Sequence, residues 1–596
     1  MLEYFALVWS PTAGEAAGAL IRRCQALHTR FAVVCQANGL TVLCSGTDHC
    51  PLGSHGVLLG TLFRRGKELA CGERFEPAAV SESDACRMVS DPGQTLISEY
   101  WGNYVAVLHD PCSGDVSILR GPASSLPCFH LASECIDIYF SSMELCAQIT
   151  ARHFSIDWQH LARTLLAPRA DGITDVRDVT EILPGHIERL RCGRRDHAVL
   201  WDPCSISLQP QLDDWTQASQ ALRDVTRACV SAWAAPFDCV LHALSGGLDS
   251  SVTLACLVET PVRVVCLTQY GDDPDSDERP FARLAARHVD CELIEHRRDE
   301  NVDFATACYS VRLAHCPSLR LAGVDRVQQD AARQRGAKAI FRGDGGDELF
   351  CRTQLGLYVM DFVRERGFGS GFTGLLVHAA AAEGITAWPL LLRAVSSRFS
   401  RPRIGFAELM ARDIERATLL KREVVRELIS QEAGARIQTE SPGHAWQASL
   451  LKAPRTFTGP FSRADDPPDI APLLSQPLIE LCLRIPTYFQ MRGRKDRALA
   501  RAAFATDLPR EIVERRDKGD AEQLAKAMLS RNLEFARELL LDGIVAKQGF
   551  VDRTRLEATL AMCPSVDAVP SVPLFGILGA EVWARAWCAS HLSPGR

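Results

Sequence analysis

SGGLDSS occupies residues 245–251, between the apolar run FDCVLHAL at 237–244 and a stretch with a helical pattern. Two adjacent glycines, Gly246 and Gly247, allow backbone amides to approach an anion closely, and the serine hydroxyls add further donors. A helix that begins directly after the loop directs its positive amino terminus to the same point. The sequence therefore predicts a phosphate-binding turn between a strand and a helix.

The composition of this turn separates it from other phosphate loops. It lacks the Gly-Lys-Ser/Thr ending of a Walker loop, so γ-phosphate transfer is not the natural inference. It also contains Asp249, whose carboxylate would repel phosphate unless a cation lay between them. We therefore expect Mg²⁺ between Asp249 and the phosphates. The alternative is a serine- and glycine-rich turn that only caps the helix.

Strand-like and helix-like patterns alternate from about residue 211 onward. Apolar strands are predicted at 237–244, 262–270, 291–296 and 337–343, with helices beginning near 249, 277 and 323. Such alternation indicates βαβ units and a parallel sheet, whose reactive site lies at the carboxyl ends of the strands. The site is thus predicted just after Leu244 and Gly343. From about 351 to 595 the pattern is mostly helical.

The segment GDGGDELF at 343–350 follows the fourth predicted strand. Its three glycines and three acids would be costly in a core, because clustered carboxylates disfavour ionisation unless a metal or a cationic partner compensates them. We predict Mg²⁺ near this loop as well. A solvated acidic turn is the alternative interpretation.

The first 205 residues have a different sequence pattern. Short β-rich runs such as 31–35, 103–110 and 136–142 alternate with turn clusters, which is the pattern of sheet packed on sheet. We predict two domains, 1–205 and 211–596.

SGGLDSS resembles the pyrophosphate loop of the ATP pyrophosphatases, which cleave ATP between the α- and β-phosphates. With GDGGDELF it resembles the asparagine synthetase family, and this resemblance implies the following assignments. Ser245, Gly246, Gly247, Asp249, Ser250, Ser251 and Gly343 bind ATP, Asp249 and Asp347 ligate Mg²⁺, and Asp344 occupies the catalytic acid/base position where glutamate is usual. The stretch 492–519 resembles the family's run ending in arginine, lysine and glycine, and Lys518 matches its catalytic lysine, which contacts the phosphates.

The front half resembles the family's glutaminase domain, an α/β sandwich of the Ntn-hydrolase type. The similarity lies in the segments 101–106, 120–122, 140–144 and 183–186. Glutamine hydrolysis in that family requires an amino-terminal cysteine, whereas here Met1 is followed by Leu2 and the first cysteine is Cys24. The resemblance thus implies a glutaminase scaffold without its nucleophile, followed by an ATP pyrophosphatase domain with a parallel sheet and a large helical carboxyl-terminal part.

An adenylating enzyme that makes no ammonia needs another amine, and the simplest source is its own substrate. Two branches of the family use this logic, the β-lactam synthetases and the lasso peptide cyclases. The chain is more similar to the second, because Asp344 replaces the β-lactam branch's tyrosine, the Gly-Asp-Gly-Gly-Asp form is like that of lasso cyclases, and the long helical region offers a peptide surface. The resemblance implies a leader-cleaved precursor peptide as substrate, with a leader peptidase and a leader-recognition protein as partners. β-Lactam-type ring closure and ammonia-dependent asparagine synthesis stay open as alternatives.

The composition also restricts which partners and which cellular location we expect for this protein. Lys+Arg 66 against Asp+Glu 73 gives a net charge of −7, which disfavours a nucleic-acid partner. Neither a secretory signal nor an uninterrupted apolar span of membrane length is apparent. We expect a cytoplasmic protein without membrane insertion.

Overall fold

The computed structural model describes most of the 596-residue chain, as two domains built on different sheets. An antiparallel sandwich comes first, and a parallel sheet with many helices follows. The described residues are 2–27, 30–65, 78–91, 93–133, 135–166, 171–191, 193–209, 211–271, 277–298, 314–316, 324–350, 356–399, 403–404, 418–432, 437–438, 441–452, 466–493, 495–515, 529, 532–562 and 571–590.

The sandwich contains two antiparallel sheets, as the front-half pattern predicts. Its strands are β1 (Tyr4–Trp9), β2 (Phe31–Ala37), β3 (Leu40–Ser45), β4 (His49–Pro51), β5 (Gly56–Arg64), β6 (Tyr100–His109), β7 (Val116–Arg120), β8 (Phe129–Ser133), β9 (Ile136–Phe140), β10 (Val179–Glu181), β11 (His186–Arg191) and β12 (Arg194–Val199). One sheet has the order β10-β8-β9-β1-β3-β2 and the other β12-β11-β7-β6-β5-β4.

Strand β1 shows why its sequence is apolar throughout. Tyr4, Ala6 and Val8 point into the core between the two sheets, while Phe5 and Leu7 belong to a second core. Successive side chains of a strand face opposite sides, so a strand covered on both faces needs apolar residues at every position. β1 is therefore buried on both sides.

The second domain has the predicted parallel sheet. Its strands are β13 (Cys239–Ala243), β14 (Arg263–Tyr270), β15 (Glu292–Arg297), β16 (Ile340–Phe341) and β19 (Asp469–Ile470), in the order β15-β14-β13-β16-β19, and β17 (Arg403–Ile404) with β18 (Ile437–Gln438) forms a separate ribbon. Strand β19 was not predicted. With only two residues it has no periodicity to recognise, and it joins the sheet by pairing with β16.

The helices surround both sheets, and no described helix is both long and apolar enough to span a bilayer. They begin with α1 (Gly14–Leu27), α2 (Glu82–Ser90), α3 (Gln94–Glu99), α4 (Met143–Thr150), α5 (Trp158–Leu166), α6 (Pro203–Ser207), α7 (Trp215–Ala234), α8 (Leu248–Leu257), α9 (Arg279–His288), α10 (Val324–Arg335), α11 (Gly346–Leu349), α12 (Leu357–Arg366), α13 (Phe372–Glu383) and α14 (Ala387–Phe399). Further helices span Arg422–Glu432, Pro442–Leu451, Gln476–Leu483, Ala498–Ala503, Arg510–Glu514, Leu533–Leu541, Ile544–Lys547, Arg553–Met562 and Ser571–Ser590.

A shared apolar core and a partly buried carboxylate join the two domains. Glu480 of the second domain accepts two hydrogen bonds from the Arg65 guanidinium, at 2.8 and 2.9 Å, and one from the Trp201 indole at 2.9 Å. Beside them the rings of Phe63 and Trp233 meet edge to face, with centroids 5.0 Å apart. The sandwich is thus packed tightly against the second domain.

A second junction places residues 314–316 of the second domain on the sandwich. The Asp175 carboxylate, which is fully buried, contacts His160 Nδ1 at 2.8 Å and accepts a hydrogen bond from Cys316 N at 2.9 Å. His315 Nε2 lies 2.8 Å from Glu181 of the sandwich. At this buried interface the charged groups bind one another in place of the water molecules they lose on burial.

His160 makes this junction sensitive to pH. Burial alone lowers the pKa of His160, but contacts with Asp171 and Asp175 outweigh burial and raise the pKa to about 9. A histidine pKa that is higher in the folded state stabilises the fold below the unfolded pKa, and this contribution is lost as the pH rises through the folded pKa.

We therefore expect His160→Gln to reduce the free energy of unfolding by about 3 kcal/mol at pH 6, taking 1.36 kcal/mol for each pKa unit. The difference from the unsubstituted protein should shrink between pH 7 and pH 10, because His160 loses its proton there. Urea unfolding at pH 6, 7.5 and 9.5 measures this difference in the free energy of unfolding. His288→Gln, at the exposed end of α9, is the control and should match the unsubstituted protein throughout. A His160→Gln deficit that is independent of pH would contradict the assignment.

Candidate active site

The turn after β13 is held in shape by its own side chains. Gly247 N donates to Ser245 Oγ at 3.3 Å, the Ser245 and Ser250 hydroxyls lie 3.1 Å apart, and Ser250 Oγ donates to Gly247 O at 3.3 Å. Gly246 has φ +71°, and a Cβ there would lie 2.5 Å from the backbone nitrogen of Ala282. Glycine is required at this position for both reasons.

Helix α8 begins directly after this turn, and its N-cap residue is Gly247. A glycine has no side chain with which to cap the helix, so the first amides of α8 remain donors for another acceptor. The Ser251 hydroxyl is buried and has no hydrogen-bond partner among the described residues. Together they form an anion-binding surface at the start of α8.

The turn borders a cavity of about 240 Å³ at the carboxyl ends of β13, β14 and β16. This is where a ligand lies in an open parallel sheet. The lining residues are Ala243, Leu244, Ser245, Gly247, Asp249, Ser250, Leu267, Thr268, Gln269, Glu278, Arg298, Gln328, Arg342, Gly343 and Asp344. Five of the seven residues assigned to ATP from the sequence thus line one cavity, together with Asp344.

The acidic loop lies directly against the start of α8. A Cβ on Gly343 would lie 2.6 Å from Ser250 N, and one on Gly346 would lie 2.3 Å from the Asp249 carboxyl carbon. Glycine at both positions therefore allows the two loops to approach each other. The structure brings Asp347 close to Asp249 in this way.

We expect Gly343→Ala to separate these loops, because the obstructing atoms belong to the backbone of Ser250 and cannot rotate away. The loss of stability should be about 1–3 kcal/mol, and ATP affinity should fall with it. Thermal unfolding and calorimetric titration with Mg²⁺-ATP measure the two effects. Gly374→Ala in α13, where a Cβ meets nothing within 4 Å, is the matched control and should keep both values. Unchanged ATP affinity in Gly343→Ala would contradict the assignment of this loop.

A single arginine lies between the two predicted metal ligands. Arg497 Nη1 donates to both Asp249 carboxylate oxygens, at 2.9 and 3.1 Å, and to Asp347 Oδ1 at 3.0 Å. Burial disfavours the charged guanidinium, but Asp249, Asp496 and Asp347 outweigh that effect and raise the pKa of Arg497. The sequence analysis did not identify Arg497. It stands in a run of basic residues, where nothing local distinguishes it.

The backbone of Arg497 is unusual as well. Its φ of +50° places a non-glycine residue in the left-handed region. Such a conformation costs on the order of 1–3 kcal/mol and persists where the surroundings enforce it. Here it turns the buried side chain, 6% exposed, toward the carboxylates.

A second arginine fixes the turn from the other side. Arg515 Nη1 donates to Gly246 O at 3.2 Å, and its Nη2 donates to Glu278 Oε1 at 2.8 Å. The guanidinium also stacks on the Phe281 ring, 3.9 Å from its centroid. The two neighbouring acids therefore have different partners. Glu278 binds Arg515, whereas Asp277 accepts a hydrogen bond from the Arg279 amide at the start of α9. Lys518, three residues beyond Arg515, lies outside the described residues.

Asp344 lies at the mouth of the cavity and is exposed. The preceding residue, Arg342, donates to Asp469 at 2.9 Å and to Asp325 at 2.7 Å, which holds the end of β16 in place. Glu348, on the same loop, has a raised pKa, first because it is buried and then because Asp347, Asp344 and Asp249 are near. Carboxylates with different environments are thus present side by side.

These groups fit a magnesium ion bound together with phosphate. The carboxylates of Asp249 and Asp347 are close enough to accept hydrogen bonds from the same atom, Arg497 Nη1. Carboxylate oxygens are also the ligands that Mg²⁺ prefers. In the described part of the chain, no group of three or more metal-ligating side chains exists to hold an ion without other ligands. Mg²⁺ usually keeps waters and substrate phosphates as ligands, so two carboxylates suffice.

A phosphate-binding turn at the carboxyl edge of a parallel sheet, opposite an acidic loop, is the arrangement of a nucleotide-dependent α/β synthetase. A family model described as Asparagine synthase matches residues 221–585, more than half of the chain. The chain therefore belongs to the asparagine synthase family. Membership indicates an ATP-dependent, amide-forming ligase.

Two solved structures are similar to parts of the chain. The structure of the allosteric regulatory enzyme of purine biosynthesis is 9% identical with a TM-score of 0.20, over 50% of this chain and 80% of that chain. Glutamine phosphoribosylpyrophosphate amidotransferase from B. subtilis, complexed with ADP and GMP, is 7% identical with a TM-score of 0.20, over 57% and 90%. No curated protein matches the chain.

Proposed function

We propose that this protein is a macrolactam synthetase, or cyclase, that closes the ring of a lasso peptide. Lasso peptides are made on the ribosome, and we place the enzyme in antibiotic biosynthesis. It adenylates the side-chain carboxylate of an aspartate or glutamate in a leader-cleaved precursor peptide. It then joins that carboxyl to the peptide's own terminal amine and releases AMP and pyrophosphate. One observation carries the proposal: both adenylation loops keep their chemical groups, while Cys24, the first cysteine of the sequence, is buried and not suited to releasing ammonia from glutamine.

The burial of Cys24 supports this interpretation. Cys24, the first in the sequence, is buried in α1, and burial raises its pKa to about 12. A glutaminase thiol has to be accessible and readily deprotonated. Arg120, which stands in the segment similar to the glutaminase arginine motif, is buried and donates to Glu181 at 2.7 Å and to Ile182 O at 3.0 Å. Its guanidinium is thus engaged inside the fold and not directed to a substrate.

An enzyme of this family without its own ammonia source needs an amine from elsewhere. An amine tethered to the activated carboxyl is favoured, because an intramolecular reaction avoids the entropy cost of bringing two molecules together. Holding a prefolded peptide in position is then a large part of catalysis. Ring closure within one peptide follows from this argument.

In the first step, a carboxylate oxygen of the peptide attacks the α-phosphorus of ATP and pyrophosphate leaves. The amides and hydroxyls of residues 245–251 hold the β- and γ-phosphates, and the amino terminus of α8 stabilises their charge. Mg²⁺, held by Asp249 and Asp347, would neutralise charge on the phosphates. By the family resemblance, the Lys518 ammonium also stabilises the negative charge on the phosphates.

In the second step, the peptide amine attacks the activated carbonyl carbon, the new amide bond forms and AMP leaves. The amine loses a proton on the way, and Asp344 at the mouth of the cavity accepts it. Aspartate is one methylene shorter than the usual glutamate, so the amine has to approach the loop more closely.

The decisive experiment incubates the protein, a leader peptidase and a leader-recognition protein with Mg²⁺-ATP and a candidate precursor peptide. We expect a product lighter by one water, and release of AMP and pyrophosphate. Lys518→Ala should abolish the product, whereas Cys24→Ala should leave it unchanged. Release of ADP would contradict adenylation, and turnover only with added ammonium salts would favour asparagine synthesis instead.

The substrate class is tested separately. A small amino acid cyclised in place of a peptide would favour β-lactam-type chemistry. A short neighbouring reading frame that encodes a leader, followed by a core with Asp or Glu several places in, would support the lasso reading. We further propose that the enzyme acts in the cytoplasm, without nucleic acid and without membrane insertion.

A further inference from the structure

Gln328 of α10 is a buried polar residue in the wall of the cavity that the phosphate-binding turn borders. It is 6% exposed, and it lines this cavity together with Ser245 and Asp344. The Gln328 Oε1 atom has no hydrogen-bond partner among the described residues. A buried amide oxygen without a partner costs free energy, so such an atom in a cavity wall indicates a ligand that supplies the missing donor.

The neighbouring residue Gln329 shows what a glutamine does in the same helix when it faces the protein. Gln329 is 4% exposed, and its Nε2 donates to Pro467 O at 3.4 Å. It is not among the described residues that line the cavity. The two glutamines are thus equally buried, but Gln328 borders the cavity and Gln329 binds the backbone of another segment.

Two contacts of α10 fix the position of Gln328. Arg342, at the end of β16, donates to Asp325 in the first turn of α10 at 2.7 Å. Val327 packs on the apolar cluster that contains Leu267 of β14. The beginning of the helix is therefore held at the carboxyl ends of the strands, where the side chain of Gln328 meets the cavity.

The other groups of the cavity indicate which part of ATP reaches Gln328. In the proposed reaction, residues 245–251 hold the phosphates and the reacting carboxyl lies near Asp344 at the exposed mouth. Ala243 and Leu267 are register partners at the ends of β13 and β14, and both line the cavity. A purine ring can bury its face on such an apolar wall, whereas its polar edge needs hydrogen bonds. The buried Gln328 amide is suited to that edge.

We propose that Gln328 is a specificity-determining residue of the ATP site, whose side-chain amide binds the 6-amino edge of adenine. An amide has an acceptor oxygen and a donor nitrogen, which match the adenine amino group and the ring nitrogen beside it. Oε1 accepts from the amino group, and this contact supplies the partner that Oε1 lacks. The inference rests on the proposed use of ATP, and it names the part of the nucleotide that this residue recognises.

The test compares two ligands of the full chain in the presence of Mg²⁺, ATP and purine riboside triphosphate, which lacks the 6-amino group. Calorimetric titration gives the ratio of their Kd values, analogue over ATP. We expect this ratio to be about fivefold smaller in Gln328→Leu than in the unsubstituted protein, because one neutral hydrogen bond changes a Kd by roughly twofold to tenfold. Gln329→Leu is the matched control and should keep the unsubstituted ratio.

Thermal unfolding without nucleotide separates recognition of a ligand from a structural role. Replacing an amide whose oxygen has no partner by an apolar group of similar size does not destabilise a fold. We therefore expect Gln328→Leu to unfold at the same temperature as the unsubstituted protein, or at a higher one. A lower unfolding temperature would mean that the amide is needed for the fold, and would overturn the proposal.

Two binding results would also overturn it. If Gln328→Leu weakens both ligands by the same factor, the residue contacts the ribose or the phosphates and not the base. If it changes neither Kd, the amide faces water in the complex. Both results leave adenylation intact, because exchange of pyrophosphate into ATP tests that reaction separately. Failure of the unsubstituted protein to bind ATP would refute this inference and the proposed function together.

Discussion

Asp249→Asn should lose peptide-dependent exchange of pyrophosphate into ATP by about 10²–10³-fold, the usual effect of removing one group that stabilises transition-state charge. Asparagine preserves the shape of the side chain but removes its charge. The positive Arg497 guanidinium, 2.9 Å from this carboxylate, would then lack one of its three anionic partners, and the proposed Mg²⁺ site would lose a ligand. Exchange of labelled pyrophosphate isolates adenylation from ring closure, so the result does not depend on the second step.

The matched control for this substitution is Asp542→Asn, at a carboxylate 75% exposed on the surface. It should exchange pyrophosphate at the unsubstituted rate. Calorimetric titration should show that Asp249→Asn also weakens Mg²⁺-ATP binding. Near-normal exchange in Asp249→Asn would remove this residue from the nucleotide site.

Arg497→Met should cost about 3 kcal/mol of unfolding free energy, because removing one member of a buried charge set leaves the others uncompensated. Methionine has a similar length and no charge. We place the effect at the lower end of the known range, since the Asp347 side chain is 37% exposed and water screens it. Urea unfolding in the absence of nucleotide measures the loss.

Two further variants separate charge from packing. Arg497→Lys should recover part of the stability, because one nitrogen, Nη1, makes the contacts with both carboxylates and an ammonium can approach the same point. Arg510→Met, at an arginine whose side chain is 84% exposed, should be as stable as the unsubstituted protein. Equal stability of Arg497→Met and the unsubstituted protein would show that the carboxylates do not need this cation.

The two glycine-rich loops could be located from the sequence because each has a local physical signature. Residues 245–251 and 343–350 each follow an apolar strand and contain glycines that other residues cannot replace without a clash. The rule that parallel strands end at one edge then predicted that the loops meet. The contacts of Gly343 and Gly346 with the start of α8 confirm this meeting.

Strand β19 and the roles of Arg497 and Arg515 could not be predicted. Two residues of strand, Asp469–Ile470, carry no periodicity, and their place in the sheet is set by pairing with β16. The two arginines belong to a basic run in which a solvated face is an equally good interpretation. Which arginine turns inward depends on the packing of helices far along the chain.

The sequence by itself determined where the two loops lie at the edge of the parallel sheet and which polar groups they carry, because glycine, serine and aspartate in those orders restrict the local backbone and its donors. The tertiary structure alone decided which cation meets the two carboxylates, how Glu278 joins Arg515, and how residues 314–316 reach Asp175. Local patterns encode local conformation, whereas contacts between residues 100 or more positions apart follow from how whole elements pack together.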